Sequence, residues 1–304
     1  MRIVFMGTPE FAVPSLERLI ADGHDIAAVY TQPDKPKNRG MKLLAPPVKR
    51  VALAHDIPVL QPEKLRQEGV LEELTAFAPE LIIVVAYGKL LPKAIINLPK
   101  LGCINVHSSL LPKYRGAAPI NWAVINGETE TGVTIQDIAE TLDTGDIISQ
   151  ARTNIDPNEN VEALHDRLAI MGAELLSETV VMLQNSAAQR TPQDDSQSTY
   201  APMLDRSLSP IDWSRSAKAI HDQVRGLTPW PATTMELKGK TFKVFAAEET
   251  GATTNSSAGS CLGSDKRGIL MACGDGKVLR IIEVQAPGKR RMAAADYLRG
   301  HPIV

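Results

Sequence analysis

Leu81-Ile82-Ile83-Val84-Val85 is an unbroken apolar run, short and mostly β-branched. A strand with one face in water alternates apolar and polar residues, whereas one covered on both faces does not, so this run predicts a central strand of a parallel sheet. Reading outward, Arg2-Ile3-Val4-Phe5-Met6 predicts a second buried strand that stops at Gly7. Residues 13–21 predict a helix with Leu16, Leu19 and Ile20 on one face, closed by Gly23. Strands are expected at 25–31 and 102–107, and a helix at 46–55, where Pro47 is tolerated in the first turn. Strand and helix alternating at this spacing predict a doubly wound, mostly parallel, Rossmann-like α/β domain.

Past Thr131 the pattern changes. Residues 131–138 and 146–155 predict two strands around a polar turn, and residues 161–184 one long amphipathic helix. Residues 185–209 are rich in Ser, Gln, Asp and Pro and read as an exposed linker. Beyond them a short helix is expected at 214–225, then brief strands at 233–237, 241–245, 268–272 and 278–284, with a polar loop at 251–260. Short strands so closely spaced predict a small C-terminal β-barrel, OB-like. The expected division is a catalytic domain over 1–188, a linker over 189–207 and a C-terminal domain over 208–304.

The chain has 304 residues and a formal net charge of −2. The charge is uneven: from Ala201 onward 15 Lys and Arg face 10 Asp and Glu, leaving 18 against 25 in the rest. A basic final third on an acidic body points to an anionic partner. The three cysteines, Cys103, Cys261 and Cys273, are widely spaced, which argues against a disulfide framework or a zinc ribbon. No apolar run is long enough to cross a bilayer, and Met1 to Met6 lacks the pattern of a signal peptide. A cytoplasmic protein is expected.

The turn after the first strand is Gly7-Thr8-Pro9-Glu10-Phe11-Ala12. Dinucleotide binding needs several glycines there so that backbone N–H groups reach a pyrophosphate; one glycine, a proline and an acid argue against it.

The densest polar cluster beside a strand end runs from Gly102 to Gly116 and contains Asn105, His107, Ser108 and Ser109. Alternation in a strand puts Asn105 and His107 on one face and Ile104 and Val106 on the other. An amide and an imidazole at the C-terminal end of a sheet strand lie where open α/β sheets bind ligands. A lone histidine more often satisfies a core hydrogen bond, but the neighbouring Asn and the Gly/Pro-punctuated loop that follows favour function. Asp143, in Leu142-Asp143-Thr144-Gly145-Asp146, is a candidate partner for the imidazole, although that stretch is equally a good turn. Cys103 shares the face of Asn105 and His107, yet cysteine commonly serves as a small buried hydrophobe. The six histidines have no HxH or HxxxH spacing, so no metal is expected.

The run from Ile104 to Gly116, INVHSSLLPKYRG, with Asp143 downstream in LDTGD, closely resembles the 10-formyltetrahydrofolate-dependent formyltransferases. Phe5-Met6-Gly7-Thr8-Pro9-Glu10-Phe11-Ala12, the loop Lys37-Asn38-Arg39-Gly40-Met41-Lys42-Leu43 and Gly226-Leu227-Thr228-Pro229-Trp230-Pro231-Ala232 are similar to the branch of that family that formylates initiator methionyl-tRNA. The resemblance spans essentially the whole chain and is weakest over residues 248–266.

It implies that Asn105, His107 and Asp143 are catalytic and that the formyl group passes from 10-formyltetrahydrofolate to the α-amine of methionine on initiator tRNA. It also implies that the backbone of Ala86, Tyr87 and Gly88 and the segment Ser109, Leu110, Leu111 and Pro112 line the folate site, and that Arg39 and Lys42 touch the tRNA acceptor end. A monomer without metal is expected. Two rival readings are a formyltransferase acting on an amino-sugar nucleotide and a non-catalytic RNA-binding protein. The basic Arg39 loop argues against the first, and the intact Asn105, His107 and Asp143 against the second.

Overall fold

The computed structural model describes residues 1–37 and 42–302. Its main sheet has seven strands: β1 (Arg2–Gly7), β2 (Asp25–Tyr30), β3 (Val59–Leu60), β4 (Leu81–Val85), β5 (Cys103–His107), β6 (Glu130–Asp137) and β7 (Ile147–Asn154), in the order β7-β6-β5-β4-β1-β2-β3. The strands from β3 to β5 are parallel, and β6 joins β5 antiparallel. The apolar run is β4, flanked by β1 and β5 and buried along its whole length. Each such side chain stabilises the fold by roughly 1.5–3 kcal/mol through removal from water.

The chain order reverses direction across the sheet between β1 and β4, and the crevice at the C-terminal ends of the strands on either side of such a switch is where this architecture takes ligands. The first connection agrees with the sequence reading. Helix Val13–Ala21 carries Pro14 in its first turn, buries Ser15, Leu16 and Leu19, and is followed by Gly23 at φ 78°. The helices Val70–Ala76, Lys93–Ile96 and Pro119–Ile125 have no counterpart in the expected elements; all are short, so their apolar periodicity is weak. Helix Val161–Gln184 matches its expected limits, and its Gly172 lies against Val106 and Val133, where a Cβ would stand 3.0 Å from Val106 Cγ1. That glycine covers the face of β5 opposite Asn105 and His107.

Two compact units divide the chain. One comprises Met1–Gly116, Gly132–Thr153 and His165–Tyr200, and the other Ala117–Thr131, Asn154–Leu164 and Ala201–Val304. The second contains an antiparallel sheet of β8 (Thr233–Leu237), β9 (Lys240–Thr253), β10 (Cys261–Ser264), β11 (Ile269–Ala272) and β12 (Lys277–Gln285), in the order β8-β9-β12-β11-β10, with β13 (Met292–Ala293) also on β12. Its apolar face closes over helix Ala217–Gly226, whose Ala217, Ile220 and Val224 pack with Met235, Phe242, Val244 and Ile281. Ser216 caps that helix by accepting the Ala219 N–H at 3.2 Å.

The expected polar loop at 251–260 is shortened at its start, to 254–260. β9 runs on to Thr253 through register shifts, held by the Thr250 hydroxyl on Val278 O, and β10 begins at Cys261. Bulges disrupt the period-2 signal, which is why a strand read from alternation stops short of them.

Candidate active site

β5 displays Cys103, Asn105 and His107 on one face, as alternation requires. The three do not have the same environment. Cys103 sits in the apolar cluster of Ile82, Val84 and Tyr87, its thiol donating to Ile95 O and Ile96 O at 3.5 Å, and burial pushes that thiol up to about 12. It is a core residue, not a nucleophile. Asn105 is only half-buried, and its side-chain amide has no partner among the described residues. His107 is 6% exposed.

Residues paired across β5 and β6 share this face: Asn105 with Gln136, and His107 with Thr134. Asp143 comes to them from the connection between β6 and β7. It holds a left-handed backbone, φ 54°, which Asp tolerates better than most residues. Its Oδ2 accepts the Gly116 N–H at 2.9 Å, and its Oδ1 accepts from Gln136 Nε2 at 3.0 Å. The same Oδ1 lies 3.6 Å from His107 Nδ1, and His107 Nε2 donates to Tyr114 O at 2.9 Å. The structure thus brings together the three residues that the sequence singled out, and both imidazole nitrogens face oxygen acceptors.

The rim is made by two neighbouring loops. Ala86 and Gly88, at φ 47° and 77°, are exposed just past the end of β4. Tyr87 between them points inward: its ring is buried, burial pushes its phenol up to about 12, and its carbonyl accepts from Thr8 Oγ1 and Gln32 Nε2. In the second loop Ser109 is fully buried, with its hydroxyl on Lys113 O at 2.7 Å and its carbonyl accepting from Thr134 Oγ1 at 2.7 Å. Leu111 is buried too, its N–H on Thr134 Oγ1 at 3.1 Å. Leu110 and Pro112 are the more open members. Arg39 lies outside the described residues, as does the side chain of Lys42, which opens the short strand Lys42–Leu44. Among the described residues no group of His, Cys, Asp and Glu could hold a metal ion, and no helix is long and apolar enough to cross a membrane.

Sequence reasoning missed the supporting amides. Gln193, from the stretch read as a linker, donates through Nε2 to Asp143 O (2.9 Å), Gly145 O (2.7 Å) and Gln136 Oε1 (3.2 Å). Gln150 donates to Leu111 O and Thr134 Oγ1, both at 2.9 Å. A signal for Gln136 exists in Val133-Thr134-Ile135-Gln136, where polar residues alternate with core ones inside a strand that is buried from Thr131 to Gln136. Gln193 has no such local signal.

The chain matches two family profiles, formyl transferase over residues 1–180 and formyl transferase, C-terminal domain, over residues 204–302. It is 49% identical to the methionyl-tRNA formyltransferase of Geotalea uraniireducens, over 100% of this chain and 96% of that one. It is 52% identical to the methionyl-tRNA formyltransferase of Pelobacter propionicus, over 99% and 93%. Among solved structures, the sugar 3N-formyltransferase WlaRD, crystallised with dTDP and 5-N-formyl-THF, superposes with a TM-score of 0.68 over 95% of this chain and 99% of that one. At 21% identity this last likeness speaks for the fold alone.

Proposed function

This chain belongs to the methionyl-tRNA formyltransferase family, and we propose on that premise that Asn105, His107 and Asp143 carry formyl transfer from 10-formyltetrahydrofolate to the α-amine of methionine on initiator tRNA. The observation that carries the residue assignment is the Asn105 amide, unpartnered among the described residues, beside the His107–Asp143 pair at the end of the sheet where this architecture takes ligands.

The chemistry follows from the atoms. The amine nitrogen attacks the formyl carbon, a new C–N bond forms, and the carbonyl oxygen becomes an oxyanion. The bond from the formyl carbon to the folate nitrogen then breaks, and the proton lost by the amine balances the one gained by that nitrogen. Asn105 Nδ2 is free to donate to the oxyanion, a contact worth more in the transition state than in the ground state. His107 adds positive charge when protonated, and the Asp143 carboxylate stabilises that imidazolium. For His107 Nε2 to reach the oxyanion, its bond to Tyr114 O must be shared or released.

In this reading the exposed backbone of Ala86 and Gly88, with Leu110 and Pro112, lines the folate site, while Tyr87, Ser109 and Leu111 hold the two loops in shape. Arg39 and Lys42 meet the tRNA acceptor end, adding salt-dependent affinity with little sequence readout. A monomer suffices for this chemistry, and the cytoplasm supplies both substrates.

The test is transfer of labelled formyl from 10-formyltetrahydrofolate to Met-tRNA. Wild type forms formylmethionyl-tRNA, and Asn105→Ala lowers kcat on the order of 100- to 1,000-fold. Transfer to an amino-sugar nucleotide with none to Met-tRNA overturns the choice of acceptor and leaves the catalytic residues standing.

A further inference from the structure

Arg115, Gln193 and Gln136 form a chain of side chains that ends on Asp143, and every bond in it has its direction set by chemistry. Arg115 can only donate. Its Nε and Nη2 both point at Gln193 Oε1, at 3.0 and 2.8 Å, so that end of the Gln193 amide must be the oxygen. The other end is then Nε2, and it faces acceptors alone: Asp143 O, Gly145 O and Gln136 Oε1. With its oxygen engaged by Gln193, the Gln136 amide turns its own Nε2 to Asp143 Oδ1 at 3.0 Å. Amide orientation is assigned from the hydrogen-bond network, and here the network permits one solution, anchored by a guanidinium at one end and a carboxylate at the other.

We infer that Gln193 is a positioning residue for Asp143, acting in two ways at once. It clamps the turn backbone on both sides of Thr144, where Asp143 holds its left-handed conformation. It also sets Gln136 so that a donor, rather than a carbonyl oxygen, meets the carboxylate oxygen facing His107. Arg115 is a partner in the same role. Besides Gln193 it binds Asp195 Oδ1 at 2.7 Å, and its N–H donates to Thr199 O at 2.9 Å, so residues 193–199 are tied to the loop that follows His107. A segment that looks like a linker therefore holds the carboxylate of the active site.

This inference rests on the catalytic assignment of Asp143 proposed above. Gln193→Glu is the informative change. It keeps the size and the pairing with Arg115, but sets a carboxylate oxygen against two backbone carbonyls and turns the Gln136 oxygen toward Asp143. Gln193→Met, which removes these bonds without adding charge, takes its place if the first variant does not fold. Either change is expected to lower kcat about 100-fold, the scale of a 1 Å misplacement at a reacting centre, while KM for both substrates moves less than about twofold. In an Asp143→Asn background the same change is expected to add no further loss, because both act through one carboxylate.

Folded Gln193 variants with wild-type kcat overturn the inference. So does a loss of the same size in the Asp143→Asn background, or a loss confined to KM. Wild type that transfers no formyl group to Met-tRNA overturns the proposed function instead, a result read before any Gln193 variant is compared.

Discussion

His107 Nδ1, at the end of β5, stands 3.6 Å from Asp143 Oδ1 in the connection between β6 and β7, segments that meet only in the folded sheet, while the opposite ring nitrogen donates to Tyr114 O at 2.9 Å. An imidazole with an acceptor at each nitrogen is held in one ring orientation. His107→Gln keeps a donor for Tyr114 O but cannot become a cation. Its kcat is expected to fall on the order of 100- to 10,000-fold, with thermal stability near that of wild type. Steady-state kinetics beside a melting curve checks this, and a loss of folding equal to the loss of activity counts against it.

Gly145 has no room for a side chain. A Cβ built there stands 1.7 Å from Asp137 O, so the turn carrying Asp143 must move to admit it. Gly145→Ala is expected to reduce kcat on the order of 100-fold by shifting the carboxylate, even though alanine brings no new chemistry. A crystal structure of the variant shows whether Asp143 has left His107; an unmoved turn contradicts the account.

The cysteines differ in reactivity for a physical reason. Burial pushes Cys103 up to about 12 and Cys273 up to about 11, whereas Cys261 is half-exposed. At about pH 8, iodoacetamide is expected to label Cys261 and spare the other two in the folded protein. Cys103→Ala is expected to keep kcat within about threefold of wild type, since the thiol only fills the core. Peptide mass spectrometry and kinetics decide it, and a dead Cys103→Ala that folds normally would reopen the thiol mechanism.

Asp222 supports the C-terminal unit. It is buried among His221, Lys218 and Arg225. Burial alone would raise its pKa, but the nearby His221 imidazole, 3.8 Å away, and the hydrogen bonds from Lys218 and Arg225 outweigh that and hold it at about 2, from an ordinary 3.8. A carboxylate held below its unfolded value contributes stability above the unfolded pKa, on the order of 2 kcal/mol here, and loses it as pH falls through the folded pKa. The difference in unfolding free energy between wild type and Asp222→Asn is therefore expected to shrink between about pH 4 and pH 2. At neutral pH the variant is expected to lose about 3–5 kcal/mol, because the buried Arg225 is left without its carboxylate. Urea unfolding across this pH range measures both, and a difference independent of pH refutes the assignment.

The basic loop predicts a different kinetic signature. Arg39→Ala and Lys42→Ala are expected to raise KM for Met-tRNA, leave KM for the folate unchanged and make the tRNA KM less sensitive to salt, each lost phosphate contact lowering the log–log slope by roughly 0.7 to 0.9. Titration of KM against potassium chloride tests it. An unchanged slope removes these residues from the tRNA interface.

The elements legible in the sequence are those whose burial repeats along the chain. Leu81–Val85 is β4 at the heart of the parallel sheet, helices Val13–Ala21 and Val161–Gln184 match their expected limits, and Asn105 and His107 share a face because a strand alternates. Residue chemistry alone also marked Asp143 as a partner for an imidazole. Tertiary structure decided which groups meet. It set Asp143 against His107, made Cys103 part of the core while leaving the Asn105 amide open, and drew Gln193 from an apparent linker onto the turn that holds Asp143. The reason is physical. Periodicity records how each residue is buried within its own element, whereas a hydrogen bond between distant segments depends on register and packing that no local window of sequence contains.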